Sequence, residues 1–242
     1  FGHMGNWRFS EEGLRLWDAI SERAKLTGVY YIYSDELEML AECGKEIASL
    51  LPNDITFIDL GPGSQQVIEE KLGVLFKALD GKVKHYIGVD IVPEILETAQ
   101  EAFAELYPGI LFSSALQDFY KDIPNLPTRN FSLAGIFGLT LFNIPIDPRI
   151  KGLPEEAISE MLKRLKAYLR PGEYLIVTQD CNRDEKLMKT LYEDQADLWR
   201  HVLYRIKNEL PVSEGFDPEG FDYEVDWIEE TDASVRKFVA NK

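Results

Sequence analysis

The sequence predicts an α/β fold: a mainly parallel sheet flanked by helices, with a helical cap before it and antiparallel strands near the C-terminus. Two observations carry that expectation. Strand-like and helix-like hydrophobic patterns alternate along the chain with few breaks, as they do when β-α units wind a parallel sheet. And "FIDLGPGSQQ", residues 57 to 66, reads as a buried strand that ends in an acid and runs straight into a glycine turn opening a helix. At 242 residues the chain can bury one substantial core, and neither an internal repeat nor a low-complexity tract interrupts it.

The elements follow in order. Residues 10 to 50 read as helical, because Trp17 and Ile20, then Leu37, Leu40 and Ile47, recur at helical spacing around an aromatic break, "GVYYIYS". "ITFIDL" follows as a strand, "SQQVIEEKLGVLFKAL" as a helix and "HYIGVDI" as a second strand. "PEILETAQEAFAEL" is a helix with Pro93 in its first turn, where an N–H would be unused in any case. "ILFSSA" and "FSLAGIFGLTLF" read as the third and fourth strands. "LPEEAISEMLKRLKAYL" is an amphipathic helix stopped by "PGE", "EYLIVTQD" is another buried strand, and residues 184 to 210 form a longer helical stretch. The closing "FDYEVDWIEETDASVRKFVA" alternates as antiparallel strands do, and such strands often occupy the edge of an otherwise parallel sheet.

Composition narrows the partners. Lys and Arg number 26 against 42 Asp and Glu, a formal charge of −16. That sign repels nucleic-acid phosphates and anionic bilayers, so the expected partner is a small molecule, with no nucleic acid and no membrane; the oligomeric state stays open. No apolar run approaches the ~20 residues of a membrane span, and no signal-peptide pattern opens the chain. Cys43 and Cys181 lie far apart, with neither metal-ligand spacing nor a disulfide framework. A cytoplasmic protein with reduced cysteines is expected. "FGHM", residues 1 to 4, reads as the remnant of an expression tag. No metal is expected either. "DCNRDE" at 180 to 185 spaces its oxygens like the start of a calcium loop, but Glu185 stands where the glycine belongs and Leu191 where the bidentate acid belongs.

The candidate site begins at the glycine turn, Gly61, Pro62, Gly63 and Ser64, where backbone can approach a ligand and the next helix offers free N–H groups. Gln66 replaces the third glycine of a dinucleotide fingerprint, which disfavours NAD. By itself a lone G-x-G is weak evidence, which a plain strand-to-helix connection accounts for more readily than a cofactor does. Asp90 closes the second strand, where a carboxylate can accept from both ribose hydroxyls; by itself it is equally a capping acid. After the third strand Asp118 stands beside Phe119, a pairing able to accept from an adenine amino group while covering the base; by itself it is equally a loop acid next to a core aromatic. Glycine turn, acid and acid on three successive strand ends together point to an adenosine-type cofactor. Ile91, Gln117, Phe137 and Gly138, adjoining these strand ends, complete the cofactor set. His85 and His201 have no evident catalytic partner and read as structural.

This arrangement resembles the S-adenosylmethionine (SAM)-dependent methyltransferases, whose first motif looks like "FIDLGPGS" and whose second-strand acid looks like Asp90. More narrowly, "VYYIYSDELEML", "FIDLGPGS", "IFGLTLFNIP", "IVTQDCNRDEKLMKTLYED" and "LYRIKNELPVSEGFDPEGFDYEVDWIEE" are similar, in order and spacing, to the histidine-specific N-alpha-methyltransferase family of the ergothioneine pathway, which includes relatives acting on tryptophan-derived and other amino acids. The similarity runs from about Phe9 to the end of the chain. It implies a Rossmann-like methyltransferase fold, SAM as cofactor with S-adenosylhomocysteine as product, and N-methylation of an amino acid or related small amine. It further implies that residues 5 to 50 are a cap contributing to the substrate site, that 51 to 242 are the SAM-binding domain, and that about 184 to 242 are a partial substrate subdomain. Asn143 matches the family asparagine that binds the substrate amino and carboxylate groups, and Tyr30 a tyrosine of the amino-acid site, with Tyr31 beside it. Methyl transfer from a sulfonium needs an aimed, desolvated amine rather than a nucleophilic side chain, so Tyr30 and Asn143 are the catalytic candidates, with Thr140 and Phe9 as further substrate contacts.

Some positions depart from the family. A second tyrosine falls on Phe9, without a hydroxyl, and the small residues flanking Thr140 become Leu139 and Phe142, which implies a pocket reshaped toward another amine. The family also continues, past the position of Lys242, into a segment whose acid and serine contact the imidazole. The expectation is a truncated chain or one without the imidazole-reading part. These departures leave a second class open, a non-catalytic SAM or S-adenosylhomocysteine binder with a degenerate substrate site. A third, an oxidoreductase on the same sheet, is disfavoured by the missing glycine.

Overall fold

The computed structural model describes residues 10–123, 126, 130–142, 154–211, 215–229 and 233–241. By their internal contacts they divide into two compact units, Asp35–Asp180 and a second composed of Phe1–Ser34 with Cys181–Lys242.

The larger unit holds a five-stranded sheet of β1 (Ile55–Leu60), β2 (Val83–Asp90), β3 (Leu111–Leu116), β4 (Phe131–Ile136) and β5 (Tyr174–Val177). The strand order is β3-β2-β1-β4-β5 and every pair is parallel. The order reverses between β1 and β4, and in such sheets ligands bind beyond the carboxyl ends of the strands at that point. All six residues of β1 are buried, as expected of a central strand covered on both faces. Alternation along the strands divides the core in two. Ile55, Phe57, Val83, Tyr86 and Leu133 pack with Leu40, Leu72, Leu75 and Phe103 on one face, and Ile58, Leu60, Ile87, Val89 and Ile136 with Met161 and Leu165 on the other.

The helices of this unit start where the sequence signals them. Pro93 stands in the first turn of the helix Pro93–Leu106, here α4. The helix Pro154–Tyr168, α5, bears Met161 and Leu165. After β1 the chain runs through Gln65–Val67, a π-helical turn Ile68–Leu72 and Gly73–Leu79, together α3; in place of one expected uniform helix, the wider turn is where Lys71, 6% exposed, faces inward. The expected fourth strand "FSLAGIFGLTLF" is also corrected. It stops at Ile136, because Gly138 takes φ +67° and the chain continues into a 3₁₀ turn, Thr140–Phe142.

The second unit contains α1 (Glu11–Thr27), α6 (Glu185–Glu193), α7 (Ala196–Glu209) and the hairpin strands β6 (Phe221–Ile228) and β7 (Ala233–Ala240). Ser10 caps α1 by accepting from Gly13 N–H at 3.3 Å, and Gly28, at φ +69°, ends it. The aromatic break is short, since α2 (Tyr31–Leu50) begins inside it; the boundary between the units falls within this helix. Arg23 donates to the Asp194 carbonyl at 2.9 Å, and Ser10 hydrogen-bonds His201 Nε2 at 2.8 Å. The Arg236 guanidinium lies over the rings of Tyr192 and Trp199, 4.5 and 4.8 Å from their centroids. β6 and β7 pair antiparallel, as expected, but as a sheet of their own rather than on the edge of the parallel one. Hairpin strands alternating apolar and polar need only one covered face, so they can pair apart from a larger sheet.

Candidate functional site

The carboxyl ends of β1 to β4 meet in the larger unit, and the glycine turn sits among them. Gly61 has φ +93° and Gly63 φ +82°, a region that side chains disfavour. Space restricts Gly63 as well, whereas at Gly61 the neighbours stand at ordinary contact distance and the positive φ is what excludes a side chain. A Cβ on Gly61 would stand 3.5 Å from Thr140 Cγ2 and 3.9 Å from Phe119 Cζ, and one on Gly63 would come within 3.2 Å of Val67 Cγ1. Gly61 N–H donates to the Val89 carbonyl at 2.9 Å, Ser64 Oγ accepts from Val67 N–H at 3.3 Å, and Pro62 packs beside Gly88. The turn thus gathers Phe119, from beyond β3, and Thr140, from beyond β4.

Asp90, 8% exposed, ends β2. Its Oδ1 accepts Val92 N–H at 2.9 Å while its carbonyl accepts Gln117 N–H at 2.8 Å, which fixes Asp90, Ile91 and Gln117 together. Asp118 Oδ1 accepts from Tyr120 N–H at 3.2 Å and Oδ2 pairs with Lys121 Nζ at 3.0 Å. Phe119 is buried, and the Tyr120 hydroxyl donates to the Thr140 carbonyl, tying the β3 end to the β4 end. Phe137 is placed differently from its neighbours. Its ring stacks on Phe57 in the core, at 6.2 Å between centroids, so its backbone is what lies at the strand end.

Beneath the turns lies a set of buried charges that sequence reasoning missed. Asp59 Oδ2 accepts from the Tyr86 hydroxyl at 2.9 Å, and Oδ1 has no hydrogen-bond partner among the described residues. Burial pushes the Asp59 carboxyl up to about 7; Tyr86 and the Lys71 ammonium oppose the shift, and the carboxylates of Asp90 and Glu36 add to it. The Tyr86 hydroxyl is raised in turn, by burial first and then by Asp59. Glu36 of α2 accepts from Gly138 N–H at 2.5 Å and from the Thr178 hydroxyl, and pairs with Lys71. A signal was present. Glu36 falls at helical spacing from Ile32, Tyr33 and Leu40, and Lys71 from Ile68 and Leu75, so both are charges on core faces.

The substrate candidates are distributed otherwise. Thr140 lies in the larger unit, at the Gly61 turn. Tyr30 and Tyr31 count with the second unit: Tyr30 is buried with Trp17 edge-on at 5.5 Å, and the Tyr31 hydroxyl donates to Met188 Sδ at 3.7 Å. Phe9 and Asn143 lie outside the described residues, as do residues 1 to 4. His85 Nε2 hydrogen-bonds Ser113 Oγ at 2.9 Å, and burial holds the His201 imidazole below its usual range. Among the described residues no group of three or more His, Cys, Asp or Glu stands ready for a metal, and no helix is long and apolar enough to cross a membrane. An adenosine-type cofactor fits what is present: backbone kept bare by two glycines, a carboxylate at the second strand end and an aromatic ring beside the turn.

Comparison with known proteins agrees with this chemistry. The model of a family described as histidine-specific methyltransferase, SAM-dependent, matches residues 5–242. The chain is 26% identical over 227 residues to the histidine N-alpha-methyltransferase of Mycobacterium tuberculosis (strain CDC 1551 / Oshkosh), covering 91% of this chain and 64% of that protein. It is 27% identical to the protein of that name from Mycolicibacterium smegmatis, with the same coverage. It therefore spans 64% of the length of these relatives. Among solved structures, a SAM-dependent methyltransferase from Clostridium acetobutylicum ATCC 824 is similar at 20% identity and a TM-score of 0.38, over 61% of this chain and 49% of that one.

Proposed function

Because this chain belongs to the histidine-specific, SAM-dependent methyltransferase family, we propose that it carries a methyl group from SAM to the amine of an amino acid or related small amine. The observation that carries the reading is the convergence at one sheet edge of the Gly61 turn, Asp90, Phe119 and Thr140. Bound there, SAM supplies an electrophilic methyl on a sulfonium. The chain's own residues do the rest. The turn at Gly61 to Ser64 offers bare backbone and helix N–H groups, Asp90 the acceptor for ribose hydroxyls, and Asp118 with Phe119 the base contact. Thr140, beside Gly61, is the acceptor-side residue of this unit; Asn143, Tyr30 and Tyr31 are proposed as substrate contacts from their match to the family motifs alone. Excluding water there favours the neutral amine, and the proton it loses passes to water or a carboxylate.

The test is uptake of labelled methyl from SAM by histidine, the other amino acids and small amines, run beside calorimetry of SAM binding. Binding with transfer to at least one amine is the expected result. Binding with transfer to none supports the non-catalytic binder, the reading favoured by Phe9 and Phe142 where the family pattern is broken. Failure to bind SAM refutes both.

A further inference from the structure

One buried carboxylate ties together three segments that follow strands of the sheet, the helix after β1, the turn after β4 and the end of β5. Glu36, 4% exposed, reaches in from α2. Its Oε1 accepts from Gly138 N–H at 2.5 Å and from the Thr178 hydroxyl, and its Oε2 pairs with Lys71 Nζ. Gly138 N–H is shared with Thr178 Oγ1 at 2.8 Å, and Thr178 N–H returns to the Ile136 carbonyl at 3.1 Å. A single side chain therefore spans the helix after β1, the turn after β4 and the residue after β5. The turn after β4 is the one that brings Thr140 within 3.5 Å of a Cβ on Gly61. An apolar side chain would fill the same space without the cost of desolvating a charge, but it would leave the Gly138 N–H without this acceptor.

We propose that Glu36 is a positioning residue for methyl transfer: it holds the 138–142 turn against the Gly61 turn and so sets the approach of the acceptor amine, touching neither amine nor cofactor. The inference rests on the reading above, in which this turn forms the acceptor's side of the site. Methyl transfer is sensitive to such placement, since a displacement of about 1 Å at the reacting groups costs on the order of 100-fold in rate.

Glu36→Gln tests it. The amide oxygen can still accept from Gly138, but the NH₂ then opposes the Lys71 ammonium, donor against donor. The SAM Kd by calorimetry should stay within about threefold of wild type, while kcat/KM for histidine, or for the best acceptor in the amine screen, falls roughly ten- to 100-fold. Amide exchange over residues 136 to 142, measured with S-adenosylhomocysteine bound, should quicken at least about tenfold while the rest of the sheet is unchanged. Glu36→Gln with Lys71→Gln restores a matched donor and acceptor without charge, and should recover most of kcat/KM and the slow exchange. Thr178→Val removes one hydroxyl and leaves the ion pair; the same pattern at roughly two- to fivefold is expected, and this variant decides the matter if the Glu36 variants do not fold. Wild-type turnover and exchange in Glu36→Gln, or in Thr178→Val where it stands in, overturn the proposal. So does a double variant with native exchange that stays inactive, because the charge rather than the hold would then matter. Wild-type protein that binds no SAM or methylates no amine refutes the underlying reading, and the inference with it, before any variant is made.

Discussion

Asp59→Asn should flatten the dependence of stability on pH. Asp59 is fully enclosed beneath the glycine turn, and burial raises its carboxyl from an ordinary 3.8 to about 7, against the opposing pull of the Tyr86 hydroxyl and Lys71. Between those two values the folded protein holds a proton that the unfolded chain has released. The stability this contributes is complete below the unfolded value and is lost as pH rises through the folded one. A shift of about 3 units at 1.36 kcal/mol each corresponds to roughly 4 kcal/mol over the whole window, of which about 3 kcal/mol falls between pH 5 and pH 8. Asparagine keeps an oxygen for the Tyr86 hydroxyl and cannot ionise. Urea unfolding at several pH values measures the difference between the two proteins, which cancels the titration of every other group to first order. The wild type should lose about 3 kcal/mol relative to Asp59→Asn from pH 5 to pH 8, then run parallel to it. Profiles that stay parallel within about 0.5 kcal/mol throughout would refute the buried, protonated carboxyl.

Three further outcomes follow from the same edge of the sheet. A cationic ligand seated on the Gly61 turn adds to Lys71 in favouring the charged form of Asp59, so SAM binding near pH 7 should release a fraction of a proton; calorimetry in buffers of different ionisation heat reads it, and neutral-sulfur S-adenosylhomocysteine should release less. Asp90→Ala deletes the acceptor expected for the ribose hydroxyls, and at about 1.5–3 kcal/mol per charge-assisted bond it should raise the SAM Kd on the order of 100-fold; an unchanged Kd would remove Asp90 from the site. Gly61→Ala forces a side chain to φ +93° within 3.5 Å of Thr140, and should cost about 1–2 kcal/mol in unfolding experiments as well as weakening SAM binding at least about tenfold.

What could be read from the sequence divides along physical lines. The helix Pro93–Leu106 matches the stretch marked by its proline and its periodic apolar face, and β1 matches "ITFIDL", because both signals are local and repeat along the chain. The end of the fourth strand is hidden in the sequence, since "FGLTLF" continues the apolar run and only the positive φ at Gly138 ends it. The company kept by β6 and β7 is a tertiary choice that alternation alone does not encode. The strand-end residues Gly61, Asp90 and Phe119 were legible because the order of β-α units fixes which loops share an edge. Glu36 and Lys71 were not, although each breaks the pattern around it: an acid and a base on core faces of two helices, 35 positions apart in the sequence, are each unfavourable alone and stabilised only as a pair. Periodicity has no means of representing that dependence. A charge that violates a helix's core face is therefore best taken as a demand for a partner elsewhere in the chain, and here the partner and the demand meet at the edge of the sheet where the chemistry is proposed to occur.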